Sequence, residues 1–301
     1  MIDVETKLVG LLGMPLKQSF SPAMQNSAFQ AAGLNYYYFP IEVATDGLRD
    51  VLQGIRRMNF AGCNVTKPNK IEVMQYLDNI DTAARAIGAV NTVKSVDGQL
   101  IGYNTDGLGF AAFLEQDEGI CIPSTRFFVL GCGGAGRAIA TVLAAKGAGS
   151  ITLTDMSASA AAHLADSISE HFSYSAVRVE LGTAGMQNAV AAADVVINAT
   201  AVGMAPYTDD TPLPSEWLGA GGRRLAATEP RLDSKRLVCD IIYNPTTTRL
   251  MREAEAMGCR TANGLGMVIY QGAAAFTIWT GLAAPIAAMK ETIFRLSARS
   301  S

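Results

Sequence analysis

Histidine is nearly absent from this chain. Its two copies in 301 residues, His163 and His171, fall in one polar stretch that reads as a helix. Both lie far from any other site-forming motif, so no catalytic or metal role is expected of an imidazole. Cysteine is sparse and unpatterned. Cys63, Cys121, Cys132, Cys239 and Cys259 include no Cys-x-x-Cys pair. Such an odd, scattered set is expected to serve as small apolar core residues in a reducing, cytoplasmic setting, with no structural disulfide and no metal site. There is no basic block, and the net charge is only −3. Nucleic acid is therefore not an expected partner. The opening residues Met1-Ile2-Asp3-Val4-Glu5 lack the basic and apolar regions of a signal peptide. No apolar run convincingly spans a bilayer. The nearest, residues 264–289, is interrupted by Gln271 and Pro285 and reads as a pair of buried helices, so no membrane is expected either.

What is present is a well-mixed α/β chain. It is 49% hydrophobic and 17% charged, and long enough for two domains. The first hundred residues alternate strands and helices. Residues 8–12, 35–43 and 62–66 read as strands, and residues 46–58 as a helix. Ser21 and Pro22 suit the N-cap and first turn of a helix that Gly33 ends. Asp97-Gly98 between apolar runs 89–96 and 99–103 is a hairpin turn. Residues 106–115 read as a connecting helix.

Phe127-Phe128-Val129-Leu130 then leads into Gly131, Gly133 and Gly136, at Gly-x-Gly-x-x-Gly spacing, and an Ala-rich helical run follows. That order is the strand, turn and helix start of a dinucleotide-binding unit. Gly131 permits the turn, Gly133 lets a pyrophosphate approach the backbone, and Gly136 lets helix and strand pack closely. The helix start offers N–H groups and a positive dipole end to phosphates. A second strand ends in Asp155, 19 residues beyond Gly136. A carboxylate there accepts hydrogen bonds from ribose hydroxyls and repels a 2′-phosphate. No arginine follows in Met156-Ser157-Ala158-Ser159. The expected cofactor is NAD, with NADP disfavoured. Further strands are expected at 176–181, 195–198 and 237–242, making a doubly wound parallel sheet. Residues 208–234 read as a surface excursion rich in Pro, Gly and charge, and 264–282 and 285–296 as C-terminal helices returning to the first domain.

Several polar residues lie at expected strand ends of the first domain: Ser19, Ser21, Asn64, Thr66, Lys70, Asn91 and Asp106, with Gln271 in the C-terminal helix. Taken singly each has an ordinary role, with Ser21 and Asp106 as helix caps and Lys70 as a solvated lysine. As a set they resemble the shikimate/quinate dehydrogenase family. Ser-x-Ser-Pro at 19–22, Asn-Val-Thr-x-Pro-x-Lys at 64–70, Ala-Val-Asn-Thr at 89–92 and Asn-Thr-Asp-Gly at 104–107 match in order. So do Gly-x-Gly-Gly-Ala at 131–135, Asn-Ala-Thr-x-x-Gly-Met at 198–204, Asp-x-x-Tyr-x-Pro at 240–245 and Gly-x-x-Met with Gln-Gly across 264–272. Gln25-Asn26, Pro68-Asn69-Lys70 and Phe276-Thr277-x-Trp279-Thr280-Gly281 look most like the branch that takes both quinate and shikimate.

The resemblance implies a two-domain α/β fold. Residues 1–106, completed by helices 267–301, would form a mixed α/β substrate domain, and 107–266 a Rossmann-type NAD(P)-binding domain. It implies Lys70 and Asp106 as the catalytic pair, and Ser19 and Ser21 on the substrate carboxylate. Thr66, Asn91 and Gln271 would hold ring hydroxyls, with Asn64, Thr105 and Tyr243 in the same substrate set. Gly131, Gly133, Gly134, Ala135, Gly136, Asp155, Thr200, Met204 and Gly264 would border the cofactor. The implied reaction is reversible oxidation of the C3 hydroxyl of quinate or shikimate, in a monomer or homodimer. NAD use would suit a catabolic role.

The chemistry needs a group to take the hydroxyl proton, and with no histidine placed for it a lysine remains. Burial favours the neutral amine and a nearby carboxylate favours the ammonium. Lys67 falls at a variable position and is assigned no role. A dehydrogenase for an amino-substituted analogue, or a non-catalytic sensor of dinucleotide or ring acid, would share much of this pattern.

Overall fold

The fold is taken from a computed structural model, which describes residues 2–17, 19–58, 60–219 and 236–298. The chain divides into two compact units, Met1–Gly109 with Ile269–Ser300, and Phe110–Val268. No helix among the described residues is long and apolar enough to cross a membrane.

The first unit contains β1 (Lys7–Gly13), α1 (Ser21–Ala31), β2 (Tyr36–Glu42), α2 (Leu48–Arg57), β3 (Gly62–Val65), β4 (Asn79–Ile80), α3 (Thr82–Ile87), β5 (Thr92–Val96) and β6 (Gln99–Tyr103). It also holds the start of α4 (Asp106–Gln116). Its six strands lie in the order β2-β1-β3-β5-β6-β4. The β1, β2 and β3 pairings are parallel, whereas β5 runs antiparallel to β3 and β6. Asp97 and Gly98 both adopt positive φ, 51° and 78°, as the hairpin turn between β5 and β6 requires. The core beneath this sheet joins Leu12, Leu48, Leu52, Ile55, Val65, Val93 and Leu100.

Two expectations change here. The strand expected from residue 89 begins at Thr92, because the Val90 N–H donates to the Lys70 carbonyl at 2.8 Å instead of to a ladder. Ser21 does not cap α1. Phe20 occupies the cap position without a side-chain bond, and the Ser21 N–H donates to Ser19 Oγ at 3.3 Å.

The second unit contains β7 (Arg126–Leu130), α5 (Gly134–Ala145), β8 (Ser150–Thr154), α6 (Ala158–Phe172), β9 (Val177–Arg178), α7 (Ala184–Ala192), β10 (Val195–Asn198), β11 (Leu237–Asp240), α8 (Arg249–Ala256) and β12 (Arg260–Ala262). The order β12-β11-β10-β7-β8-β9 is parallel throughout. Counted within this unit it is the doubly wound 3-2-1-4-5-6 arrangement, with its switch point between β7 and β10. Strands β7, β10 and β11 are covered on both faces, which is why they read as unbroken apolar runs. The strand expected at 176–181 shrinks to two exposed residues at the sheet edge. Leu213 and Leu218 are buried, so 208–219 is packed and not a mere surface excursion. The rest of that stretch, 220–234, lies outside the described residues. The chain returns to the first unit within α9 (Leu265–Thr280), and α10 (Ile286–Ser297) follows. Thr292 of α10 donates to Ser27 of α1 at 2.9 Å, and Phe276 stacks on Phe29 at 5.3 Å.

Candidate active site

In the first unit, the C-terminal ends of β3 and β6 and the loop before β5 bring Asn64, Lys70, Asn91, Thr105 and Asp106 into one hydrogen-bonded group. Lys70 Nζ donates to Asp106 Oδ2 at 2.6 Å. The other oxygen of Asp106 accepts from Asn91 Nδ2 at 2.9 Å. Asp106 is the first residue of α4, where its negative charge suits the helix dipole. Its carboxylate is not a cap, because Asn104 Oδ1 takes the Asp106 N–H at 3.1 Å. Lys67, by contrast, is exposed.

Asn91 is 3% exposed and fully engaged. Its Oδ1 accepts the Thr105 N–H at 2.8 Å, and its Nδ2 also reaches Thr105 Oγ1 at 3.0 Å. Asn64 is 6% exposed, and its Nδ2 donates to the Asn91 carbonyl at 3.0 Å and to Thr92 Oγ1 at 2.9 Å. Both amides therefore spend their hydrogens inside the protein. Ser19, Ser21, Thr66 and Gln271 are half-buried. Gly109 of α4 lies so close to Gln271 that a Cβ would strike the Gln271 backbone, which fixes where α9 passes α4 within this unit. Sequence reasoning did not single out Thr92, Asn104 or Tyr38, although all three join this network.

In the second unit, the expected glycines form a cradle at the end of β7. Gly131 has φ +98°, a conformation that side chains avoid. A Cβ on Gly136 would collide with the Gly131 carbonyl, so this glycine sets the close approach of α5 to β7. Gly133 and Gly134 face open space, with nothing within 4 Å of an added Cβ. No side chain caps α5. Bare backbone at an uncapped helix start fits a pyrophosphate. Thr200, half-buried, donates to Asn198 Oδ1 at 2.7 Å, and its methyl would lie 2.8 Å from a Gly131 Cβ. Asn198 in turn donates to Asp240 at 3.1 Å, tying the ends of β10 and β11 together. Burial raises the Asp240 carboxyl, against hydrogen bonds from Ile242, Thr248 and Asn198 that favour its charged form. Gly264 is pressed against the Ile241 backbone. Ala135 is half-buried, while Met204 and Tyr243 are exposed.

The model of the shikimate dehydrogenase substrate binding domain matches residues 11–93, and that of the shikimate 5′-dehydrogenase C-terminal domain matches 264–294. The saccharopine dehydrogenase NADP binding domain matches 127–205. A curated relative from Alkaliphilus oremlandii, shikimate dehydrogenase (NADP(+)), is 42% identical over 97% of this chain and 98% of its own. The chain belongs to the shikimate dehydrogenase family. Its members are NAD(P)-dependent oxidoreductases acting on a CH–OH group. A crystal structure of a shikimate dehydrogenase with NADP+ shares 40% identity and a TM-score of 0.85, covering 98% of this chain and 97% of that one. The Listeria monocytogenes enzyme with shikimate and NAD shares 37% identity and a TM-score of 0.87, over 97% and 98%.

These findings overturn the expectation of NAD. The A. oremlandii relative carries NADP(+) in its name, and the structure at 40% identity holds NADP+. The inferred catabolic role rested on NAD and falls with it. The geometry shows why Asp155 misled. Its Oδ2 accepts the Cys132 N–H at 2.7 Å and its Oδ1 the Ser157 N–H at 2.8 Å. The carboxylate holds the glycine loop and the turn into α6, so its presence alone does not select NAD. The Ser157 and Ser159 hydroxyls, 2.9 Å apart, stand at the start of α6 and offer donors to an anion. Replacing Asp155 by Ala should leave the Cys132 N–H, in a residue 1% exposed, without a partner, at a cost of about 1–3 kcal/mol in unfolding experiments. KM should then rise for NADP+ and NAD+ together. A change confined to one cofactor would return Asp155 to ribose recognition.

Proposed function

We propose that this protein oxidises the ring hydroxyl of shikimate with NADP+ and reduces the 3-dehydro ketone in reverse. The observation that carries this reading is the Lys70–Asp106 pair at 2.6 Å, braced by Asn91. NADP+, when bound, supplies the acceptor for the hydride leaving the alcohol carbon. Lys70 takes the hydroxyl proton as the carbonyl forms, and in reduction its ammonium returns that proton. The amine must be neutral to act as base. Asp106 fixes Nζ and stabilises the ammonium.

Ser19 and Ser21 bind the substrate carboxylate through neutral hydroxyls, and Thr66 and Gln271 hold ring hydroxyls. Asn64, Asn91 and Thr105 keep the catalytic carboxylate in place, since their donors are already used. The residues 1–106 and 267–301 are assigned to substrate, and 107–266 to the dinucleotide. Within the latter, Gly131, Gly133, Gly134, Ala135 and Gly136 receive the pyrophosphate, Thr200, Met204 and Gly264 border the nicotinamide half, and Tyr243 meets substrate.

The test is initial-rate oxidation of shikimate and of quinate, each with NADP+ and with NAD+, followed by nicotinamide absorbance. Shikimate with NADP+ should be the fastest pair. Its kcat/KM should exceed that with NAD+ by about tenfold or more, the worth of one charge-assisted hydrogen bond to the 2′-phosphate. Faster turnover of quinate would replace the substrate assignment. No turnover, with dinucleotide binding intact, would favour a sensor.

A further inference from the structure

The polar network has a direction. Tyr38, 1% exposed, sits mid-way along β2, the edge strand of its sheet. Asn26 of α1 supplies the partners a further strand would give. Its Nδ2 donates to the Tyr38 carbonyl at 2.7 Å and its Oδ1 accepts the Tyr38 N–H at 2.8 Å. Trp279 packs beside the ring at 6.0 Å, itself held by donation to the Val93 carbonyl at 3.0 Å. Backbone and ring are thus fixed, and the phenol reaches Asn64 Oδ1 at 2.8 Å.

The polarity of the following links is set by backbone groups with a single role. The Asn91 carbonyl can only accept, so the Asn64 group facing it is the NH2, leaving Asn64 Oδ1 for Tyr38. The Thr105 N–H can only donate, so the Asn91 atom facing it is the oxygen, leaving the Asn91 NH2 for Asp106. Between them, Thr92 Oγ1 accepts from Asn64 at 2.9 Å and donates to Asn91 Oδ1 at 3.0 Å. The donors run one way, from Tyr38 through Asn64, Thr92 and Asn91 to Asp106. Burial raises the phenol well above its ordinary value, which keeps the donor proton in place. Aligned hydrogen bonds polarise one another, and all of these point at the carboxylate.

We infer that Tyr38 is a positioning residue, whose phenol donates to the Asn64 oxygen and so steadies the donor chain through Asn64, Thr92 and Asn91 that holds Asp106 on Lys70. This rests on the proposed role of the Lys70–Asp106 pair. Without the phenol, the buried Asn64 oxygen loses its donor at 2.8 Å, while the Asn91 carbonyl still holds the Asn64 NH2. The chain would then lose its first link, and the Asn91 brace would hold Asp106 less firmly.

The test is a double-mutant cycle of Tyr38→Phe and Asp106→Asn, with Leu52→Ala as a core control whose stability loss is measured alongside. Steady-state rates with shikimate and NADP+ are compared with thermal unfolding. Tyr38→Phe should lower kcat about tenfold with KM for NADP+ unchanged. In the Asp106→Asn background it should lower kcat no further. Leu52→Ala should lose stability with kcat retained. Unchanged kcat in Tyr38→Phe, or the same fold-loss in both backgrounds, would overturn the inference while leaving the proposed function intact. Unchanged kcat in Asp106→Asn alone would instead overturn the role of the pair.

Discussion

Lys70→Ala should lower kcat for shikimate oxidation by about a thousandfold, within the range that a positioned acid–base group contributes. The substitution removes the Nζ that sits 2.6 Å from Asp106 and leaves the carboxylate on its Asn91 donor. The rest of the network does not depend on the amine. KM for shikimate should stay within about threefold, because the proposed ring-acid residues Ser19, Ser21, Thr66 and Gln271 are untouched, and such a split marks a group acting in the transition state. NADP+ affinity, measured by titration, should be unchanged. Lys67→Ala is the matched control. Lys67 is exposed, so its loss should leave kcat intact. If the two lysine variants behaved alike, the proton would have to be taken by another group.

The legibility of this protein in its sequence follows the range of the interactions concerned. The glycine turn after β7, the Asp97-Gly98 hairpin and the apolar parallel strands are local. Each is set by φ preferences or by burial of a short run, and each stands where expected. The pairing of Lys70 with Asp106 was reached through family motifs, because 36 residues separate partners that the fold brings together. Tyr38 had no local mark at all. An aromatic residue in Tyr-Tyr-Tyr-Phe-Pro reads as part of a strand, and its ring is core. Only the position of its hydroxyl, 26 residues from Asn64, makes it part of the site.

Asp155 failed for a different reason. Its position after β8 was readable, but its partners are backbone N–H groups of Cys132 and Ser157, which sequence does not display. A carboxylate expected to discriminate between cofactors also fastens the loop. Ser21 erred in the same way. It has the residue type and place of a cap, yet it stands one position inside α1.

Gly136→Ala should raise KM for NADP+ by about a hundredfold, the scale of loss when a binding loop is displaced by roughly 1 Å. The added methyl meets the Gly131 carbonyl and stands 3.2 Å from Ala199 Cβ. Neither neighbour can yield as a flexible side chain would. Gly131 is held at φ +98° between Ala199 and Thr200, and its N–H donates to the Thr154 carbonyl at 2.9 Å. The start of α5 must therefore lift away from β7 and β10, carrying the pyrophosphate donors with it, and thermal unfolding should come earlier. Gly133→Ala separates the two parts of this argument. An added methyl there meets nothing within 4 Å, and φ is −70°, which alanine adopts readily. Its stability should match that of the unaltered protein, while KM for NADP+ rises because the methyl occupies the space left for phosphate. Shikimate protection against thermal unfolding should persist in both variants, since the proposed ring-acid site lies in the first unit. Equal stability losses in the two variants would mean that loop packing, and not an open face toward the cofactor, explains why glycine stands at Gly133.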